Sequence, residues 1–401
     1  MTDSNRPSST PLVVLAFFGF VLIGATGAAV GVLLPSQMVY YHVNTAVIGL
    51  LFFAFSTGYF LSASSAGLLI QKLDQCRYLT GGTALFLVST FAFALKPPFI
   101  LALATNLLLG FSTAIIDVGF NAALAVLPSR VNLLNSLHAF FGLGALLGPL
   151  VASAMLTIHW EWNVTYLVWC SLSLPLLIGS VVSLRSPSLS VSTEQAELSA
   201  AGNVVVIGLK LHAVWLAMLF LFLAVGIEVS VGIWSYSFLL SERHLGTLLA
   251  GWIVSGYWLS LTLGRFLLNR IAKQLHMSMA GTAYSCLAGI GVSTLLIWLL
   301  PSTQATTLGF CLIGFFVGPM FPSTIVLVPY LVPDRLVSSL IGILIGISVL
   351  GGACFPWLVG TLAQSIGIWV LLPCILALTT IMYLNWWVMT RQLTTMEPAF
   401  R

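Results

Sequence analysis

Charge is what this 401-residue chain most lacks: Asp, Glu, Lys and Arg make up 6% of it, against 59% hydrophobic residues. A soluble domain carries roughly 25% charged residues to keep its surface in water, so most of this surface must face something apolar. Long polar connections are also scarce. Only residues 185–210, with Ser, Pro, Thr, Gln and the acids Glu194 and Glu197, exceed a short loop, which excludes a sizeable extramembrane domain. Cysteines are few: Cys170, Cys286, Cys311, Cys354 and Cys374 lie in apolar stretches and Cys76 in a loop. Without metal-ligand or redox spacing, they read as packing residues, and no metal site is expected. No Gly-Lys-Ser/Thr phosphate loop occurs, so ATP is not the direct driver and no cofactor is called for. Strands of a membrane barrel would alternate polar and apolar residues, and no such alternation is seen.

The chain instead holds twelve continuous apolar stretches, near 11–34, 46–70, 78–95, 99–128, 133–157, 164–184, 211–239, 247–268, 278–300, 305–328, 337–362 and 367–389. A bilayer-crossing helix needs about 20 such residues, and helices satisfy their own backbone in lipid. The expectation is an all-α membrane protein with twelve transmembrane helices in two six-helix bundles. Residues 1–184 form the first bundle, 185–210 a cytoplasmic linker and 211–401 the second bundle.

The net charge of +4 is spread along the chain, which argues against nucleic acid as a partner. Its distribution sets an orientation. With the N-terminus inside, twelve of the fourteen basic residues (Arg6, Lys72, Arg77, Arg130, Arg185, Lys210, Arg265, Arg270, Lys273, Arg335, Arg391 and Arg401) fall on cytoplasmic segments. Only Lys96 and Arg243 fall outside, so both termini are expected in the cytoplasm of a cell whose cytoplasmic membrane holds the protein. The first stretch is too long for a signal-peptide core and is expected to be retained.

The two halves repeat. Gly58-Tyr59-Phe60-Leu61-Ser62 is echoed by Gly256-Tyr257-Trp258-Leu259-Ser260, Gly67 by Gly264, and Gly144 with Pro149 by Gly351 with Pro356. Parallel repeats of this kind suit a transporter that rocks one half against the other. The 35 glycines fit close helix crossings, since lipid gives helices no hydrophobic reason to associate.

Of the ten acids, Asp3, Asp74, Glu161, Glu194, Glu197, Glu242, Asp334 and Glu397 map to loops or tails, leaving Asp117 and Glu228 deep in spans. A charge at a helix centre costs at least ~2.5 kcal/mol on insertion scales. A carboxyl in low dielectric holds its proton more tightly than in water, the property a reversible proton carrier needs. Asp117 is therefore expected to couple protons, with Glu228 binding solute hydroxyls or assisting; sodium is the rival ion. Asn121 shares a helix face with Asp117 at i+4. His138 can donate and accept hydrogen bonds and relay protons. Trp234, Tyr257 and Trp258 offer faces for stacking on a sugar ring. No Lys or Arg is expected at the midplane, which points to a neutral solute rather than an anion.

These residues resemble the major facilitator superfamily. The 2–3 loop with Gly67, Lys72, Asp74 and Arg77 is similar to its loop signature, and Gly264-Arg265 with Arg270 and Lys273 to the second-half copy. The resemblance implies that Gly67, Asp74, Arg77, Gly264 and Arg265 latch the cytoplasmic ends. Nearer still is the fucose-permease-like branch of sugar:proton symporters. The run from Gly110 to Pro149, with Asp117, Asn121, Asn135 and His138, looks like its acid–Asn–loop–Asn–polar pattern, and GIEVSVGIW resembles an acid-containing span 7. That likeness implies substrate contacts at Asn121, Asn135 and His138. The branch's span-1 acid is missing, since Gly31-Val32-Leu33-Leu34-Pro35 occupies its place. The reading is a secondary transporter importing a small neutral solute, a sugar, with protons, working as a monomer in the lipid bilayer. A proton/drug antiporter, a sodium-coupled sugar symporter and a non-transporting receptor are its rivals.

Overall fold

A computed structural model describes residues 10–127, 130–183, 211–332 and 334–396. The expected linker 185–210 lies outside the described residues. The described chain is built from helices: α1 Thr10–Tyr41, the short α2 Thr45–Ile48, α3 Leu50–Leu73, α4 Gln75–Ala94, α5 Phe99–Ala125, α6 Arg130–Thr157 and α7 Trp162–Ser183. They are followed by α8 His212–Ser241, α9 Thr247–Gln274, α10 Met279–Leu299, α11 Thr303–Val317, α12 Met320–Leu331, α13 Asp334–Ile366, a 3₁₀ turn Ile368–Val370 and α14 Leu371–Met396. Eleven segments are long and apolar enough to cross a membrane. The span expected at 78–95 exists as α4 but is not among the eleven. Gln75, Arg77, Thr80, Thr83, Ser89 and Thr90 dilute its apolar character. The span expected at 305–328 is broken into α11 and α12 at Gly318-Pro319, where proline supplies no N–H to continue the helical ladder.

Helix ends follow local chemistry. Asn44, Asp74, Ser278 and Ser302 cap N-termini, accepting from the backbone N–H of Val47, Arg77, Gly281 and Ala305 at 2.9, 2.9, 3.1 and 3.2 Å. Each bond satisfies one otherwise orphaned donor. Four C-termini close on histidine rather than the usual glycine. His42, His159, His244 and His276 all have φ near +50 to +63°, and each is exposed. After three of them the next N–H reaches back five residues, Val43 to Met38 O at 3.2 Å, Trp160 to Met155 O at 3.0 Å and Met277 to Ala272 O at 2.9 Å. This is the left-handed stop that gives the last carbonyls a donor.

The helices fall into two compact units. The first contains α1 and α3–α7, and the second contains α8–α14 together with residues 44–49. In that second unit Thr45 Oγ1 donates to the Gly360 carbonyl.

Within each unit the tightest crossings pair equivalent spans. In the first, α1 meets α6, where a Cβ on Gly144 would run into the Val21 carbonyl. There too α3 meets α5, where Gly58 and Gly110 leave no room between themselves and the Leu107 and Phe55 carbonyls. In the second, α8 meets α13 with Gly351 against the Phe222 carbonyl, and α9 meets α11 with Gly264 against the Phe315 carbonyl. Gly144 and Gly351 thus do the same job in the two halves. The expected pairing of Gly67 with Gly264 does not hold, because Gly67 is exposed on α3. In the register set by Tyr59 and Tyr257, the counterpart of Gly264 is Ala66, which is 3% exposed.

Candidate functional site

In the first unit the polar centre is built on α5. Continuous apolar sequence on both sides commits this stretch to helix, and Asp117 is its sole acid. Both carboxylate oxygens accept hydrogen bonds. Tyr59 Oη on α3 donates to Oδ2 at 2.6 Å. Asn121 Nδ2, one turn along α5, donates to Oδ1 at 2.8 Å and to the Asp117 backbone carbonyl at 3.0 Å. His138 on α6 lies within electrostatic reach of Asp117, and its ring meets Phe20 edge-on at 5.9 Å. Asn135 is exposed three residues before it. Tyr59 is the residue sequence reasoning missed here. Its signal was present in the repeated Gly-Tyr-x-Leu-Ser, which was read as symmetry rather than chemistry.

The second unit handles its acid differently. Glu228 Oε1 on α8 pairs with Arg265 Nη2 on α9 at 2.9 Å, with side chains 13% and 27% exposed. Arg265 Nε also donates to the Gly318 carbonyl at 3.2 Å, an oxygen at the break between α11 and α12. No Lys or Arg was expected at the midplane; the structure shows that the Arg265 side chain nevertheless reaches one of the two intramembrane acids. A long guanidinium stem carries charge well away from its Cα. Tyr257 Oη donates to the Glu228 backbone carbonyl at 2.8 Å, so the two repeated tyrosines both serve an acid-bearing residue, one through its side chain and one through its backbone.

The aromatic candidates are packing elements in this structure. Trp234 is fully buried and its Nε1 donates to the Pro356 carbonyl at 2.7 Å, while Tyr257 is equally buried. Trp258 lies against Gly232 and meets Tyr257 edge-on at 5.3 Å. Of the loop residues, Asp74 caps α4 and pairs with Arg77 at 3.4 Å, both well exposed. Arg265 is engaged by Glu228 and Gly318. Among the described residues no group of three His, Cys, Asp or Glu side chains comes together as a metal set.

The sequence profile of the Major Facilitator Superfamily matches residues 16–305. Bypass of stop codon protein 6 of Saccharomyces cerevisiae is 25% identical over 395 residues, covering 89% of this chain and 78% of that protein. The glucose/mannose transporter GlcP of Bacillus subtilis is 23% identical over 376 residues, covering 89% and 90%. Among solved structures, a bacterial homologue of the human lysosomal transporter Spinster, inward-facing and unoccupied, superposes with a TM-score of 0.80 at 12% identity, covering 98% of this chain and 99% of that one. The fucose:proton symporter of Escherichia coli superposes with a TM-score of 0.64 at 14% identity, covering 95% and 98%. With its family profile spanning most of the chain and its helices arranged as in solved transporters, this chain belongs to the Major Facilitator Superfamily and is a membrane transporter, not an enzyme.

Proposed function

We propose that the protein carries a small neutral, hydroxyl-rich solute, a sugar, together with protons across the cytoplasmic membrane, with both termini in the cytoplasm and one chain sufficient. Asp117 is the proton carrier. The observation that carries this reading is the unequal treatment of the two intramembrane acids. Glu228 is matched by a guanidinium, whereas Asp117 is held by Tyr59 and Asn121 and has no Lys or Arg partner among the described residues. An ion-paired acid gains little from taking a proton, because the arginine would then be left unmatched in a poorly solvated site. An acid held by neutral donors leaves no unmatched charge behind when it is protonated, which suits a reversible proton carrier. The groups that face it are Tyr59 from α3, Tyr78 from α4 and His138 from α6. Between residues 11 and 38, α1 has no ionisable side chain.

Asn121, Asn135 and His138 supply donors and acceptors for a neutral polar solute in the first unit. That the relative GlcP is a glucose/mannose transporter supports the sugar class. Glu228 and the aromatic residues Trp234, Tyr257 and Trp258 support the second unit's helix packing in this state.

The test is external pH in lightly buffered cells expressing the protein, as D-glucose, D-mannose, L-fucose and other neutral sugars are added in turn. Alkalinisation with one sugar, lost in Asp117→Asn, is the expected result. Sodium-dependent sugar entry without a pH change would replace protons with sodium. Efflux of lipophilic cations with no sugar response would replace the reading with an antiporter.

A further inference from the structure

Glu228 and Arg265 do not use each other up. In their ion pair Glu228 Oε1 meets Arg265 Nη2 at 2.9 Å, and Arg265 Nε is turned to the Gly318 carbonyl at 3.2 Å. One atom is left on each side: Glu228 Oε2 and Arg265 Nη1 make no hydrogen bond to any described residue. Sealed polar atoms without a partner do occur in this unit, the hydroxyls of Ser230 and Ser255 and the indole nitrogen of Trp258 among them, but these two are not of that kind. They keep contact with open space, in line with side chains 13% and 27% exposed. At Asp117, by contrast, both oxygens already accept.

The pair is held from behind. Tyr257 Oη fastens the Glu228 backbone carbonyl at 2.8 Å, and the Gly318 carbonyl fixes the near side of the guanidinium. Both residues stand in helices long and apolar enough to cross a membrane. Charged atoms turned towards hydrocarbon would be costly, so the open side of the pair is a wet one.

Valence decides what fits there. A carboxylate oxygen only accepts and a guanidinium N–H only donates, whereas a hydroxyl does both. Two hydroxyls on adjacent carbons can give one hydrogen to Oε2 and take one from Nη1 while the ion pair stays closed. Both bonds involve a charged partner and are roughly twice as strong as neutral ones. A zwitterion would have to open the pair to reach the same charges.

We infer that Glu228 Oε2 and Arg265 Nη1 form a subsite for a vicinal diol of the solute. This rests on the solute being a sugar and is independent of the coupled ion.

Counterflow of radiolabelled D-glucose, D-mannose or L-fucose into proteoliposomes loaded with the same sugar reads solute binding without an ion gradient. Competition by monodeoxy analogues then removes one hydroxyl at a time. In the wild type, two analogues lacking neighbouring hydroxyls should compete about tenfold more weakly than the parent sugar, or worse, the factor for losing a hydrogen bond to a charged group. Glu228→Gln should shrink that penalty at one of the two positions. Arg265→Lys, which keeps a cation for Glu228 but has a single nitrogen, should shrink it at the other. A role confined to packing would weaken all analogues alike. Identical penalties in the wild type and both variants overturn the subsite and leave the sugar reading standing. Wild-type penalties that are absent, or confined to hydroxyls that are not neighbours, do the same with no variant needed. Counterflow of none of the three sugars overturns the sugar reading and the subsite with it.

Discussion

A carboxylate that accepts from two neutral donors and one that faces a guanidinium answer differently to mutation. Arg265→Ala should leave Glu228 without its partner in a poorly solvated place and cost roughly 3 kcal/mol, the lower end for breaking a buried pair because both side chains keep some exposure. The double variant Glu228→Ala/Arg265→Ala should recover most of that loss, and thermal unfolding of the four proteins in one detergent closes the cycle. Tyr59 and Tyr257 separate along similar lines. Tyr59→Phe removes a donor to Asp117 Oδ2 and should impair proton-driven uptake while sparing counterflow of a sugar substrate. Tyr257→Phe removes a donor to a backbone carbonyl and should lower stability by about 1 kcal/mol with the pH profile of uptake unchanged. Asp117 was legible in the sequence because acids in apolar runs are rare, and Asn121 because i+4 geometry is local. Tyr59 and Arg265 were not, since each reaches its acid from another helix, and only the packing of α3 on α5 and of α9 on α8 brings them there.

Helix existence and limits were largely written in the sequence, since a continuous apolar run bounded by polar turns has one answer in lipid. The exceptions have local causes. The hydroxyl-bearing residues of α4 lower its apolar character, and Gly318-Pro319 divides α11 from α12. Four residues on from Gly318 stands Pro322, which has no N–H to offer, so the Gly318 carbonyl is left available to Arg265 Nε. At the crossings, bulk is the sensitive variable. Gly144→Val and Gly351→Val place side-chain carbons against the backbone carbonyls of Val21 and Phe222. Each should cost more than the ~1–3 kcal/mol of ordinary overpacking, because a backbone cannot rotate away as a side chain can. Loss of the monodisperse peak in size-exclusion chromatography would show it. Gly27, with open space around its Cα, should tolerate alanine in the same assay.

At the scale of the chain, duplication was visible in three short echoes, and two of them proved to mark equivalent structure. The Gly67 echo failed because a glycine near a loop costs little to place by chance, whereas the glycines at crossings are tied to a carbonyl opposite them. The division into two compact units carries a prediction: a gene cut within codons 185–210, both fragments being co-expressed, should restore transport that neither fragment gives alone. Histidine placement bears on any such assay. Of the six histidines, four end helices in the left-handed conformation and stand exposed. Imidazole-directed acylation with diethyl pyrocarbonate will therefore strike helix termini at His42, His159, His244 and His276, and the exposed His212, as well as His138. Inactivation by that reagent would carry no information about the transport pathway until it is repeated in a protein whose four terminating histidines have been replaced by asparagine, a residue equally at home in that conformation, and whose sixth histidine, His212, exposed at the start of α8, has been replaced by glutamine.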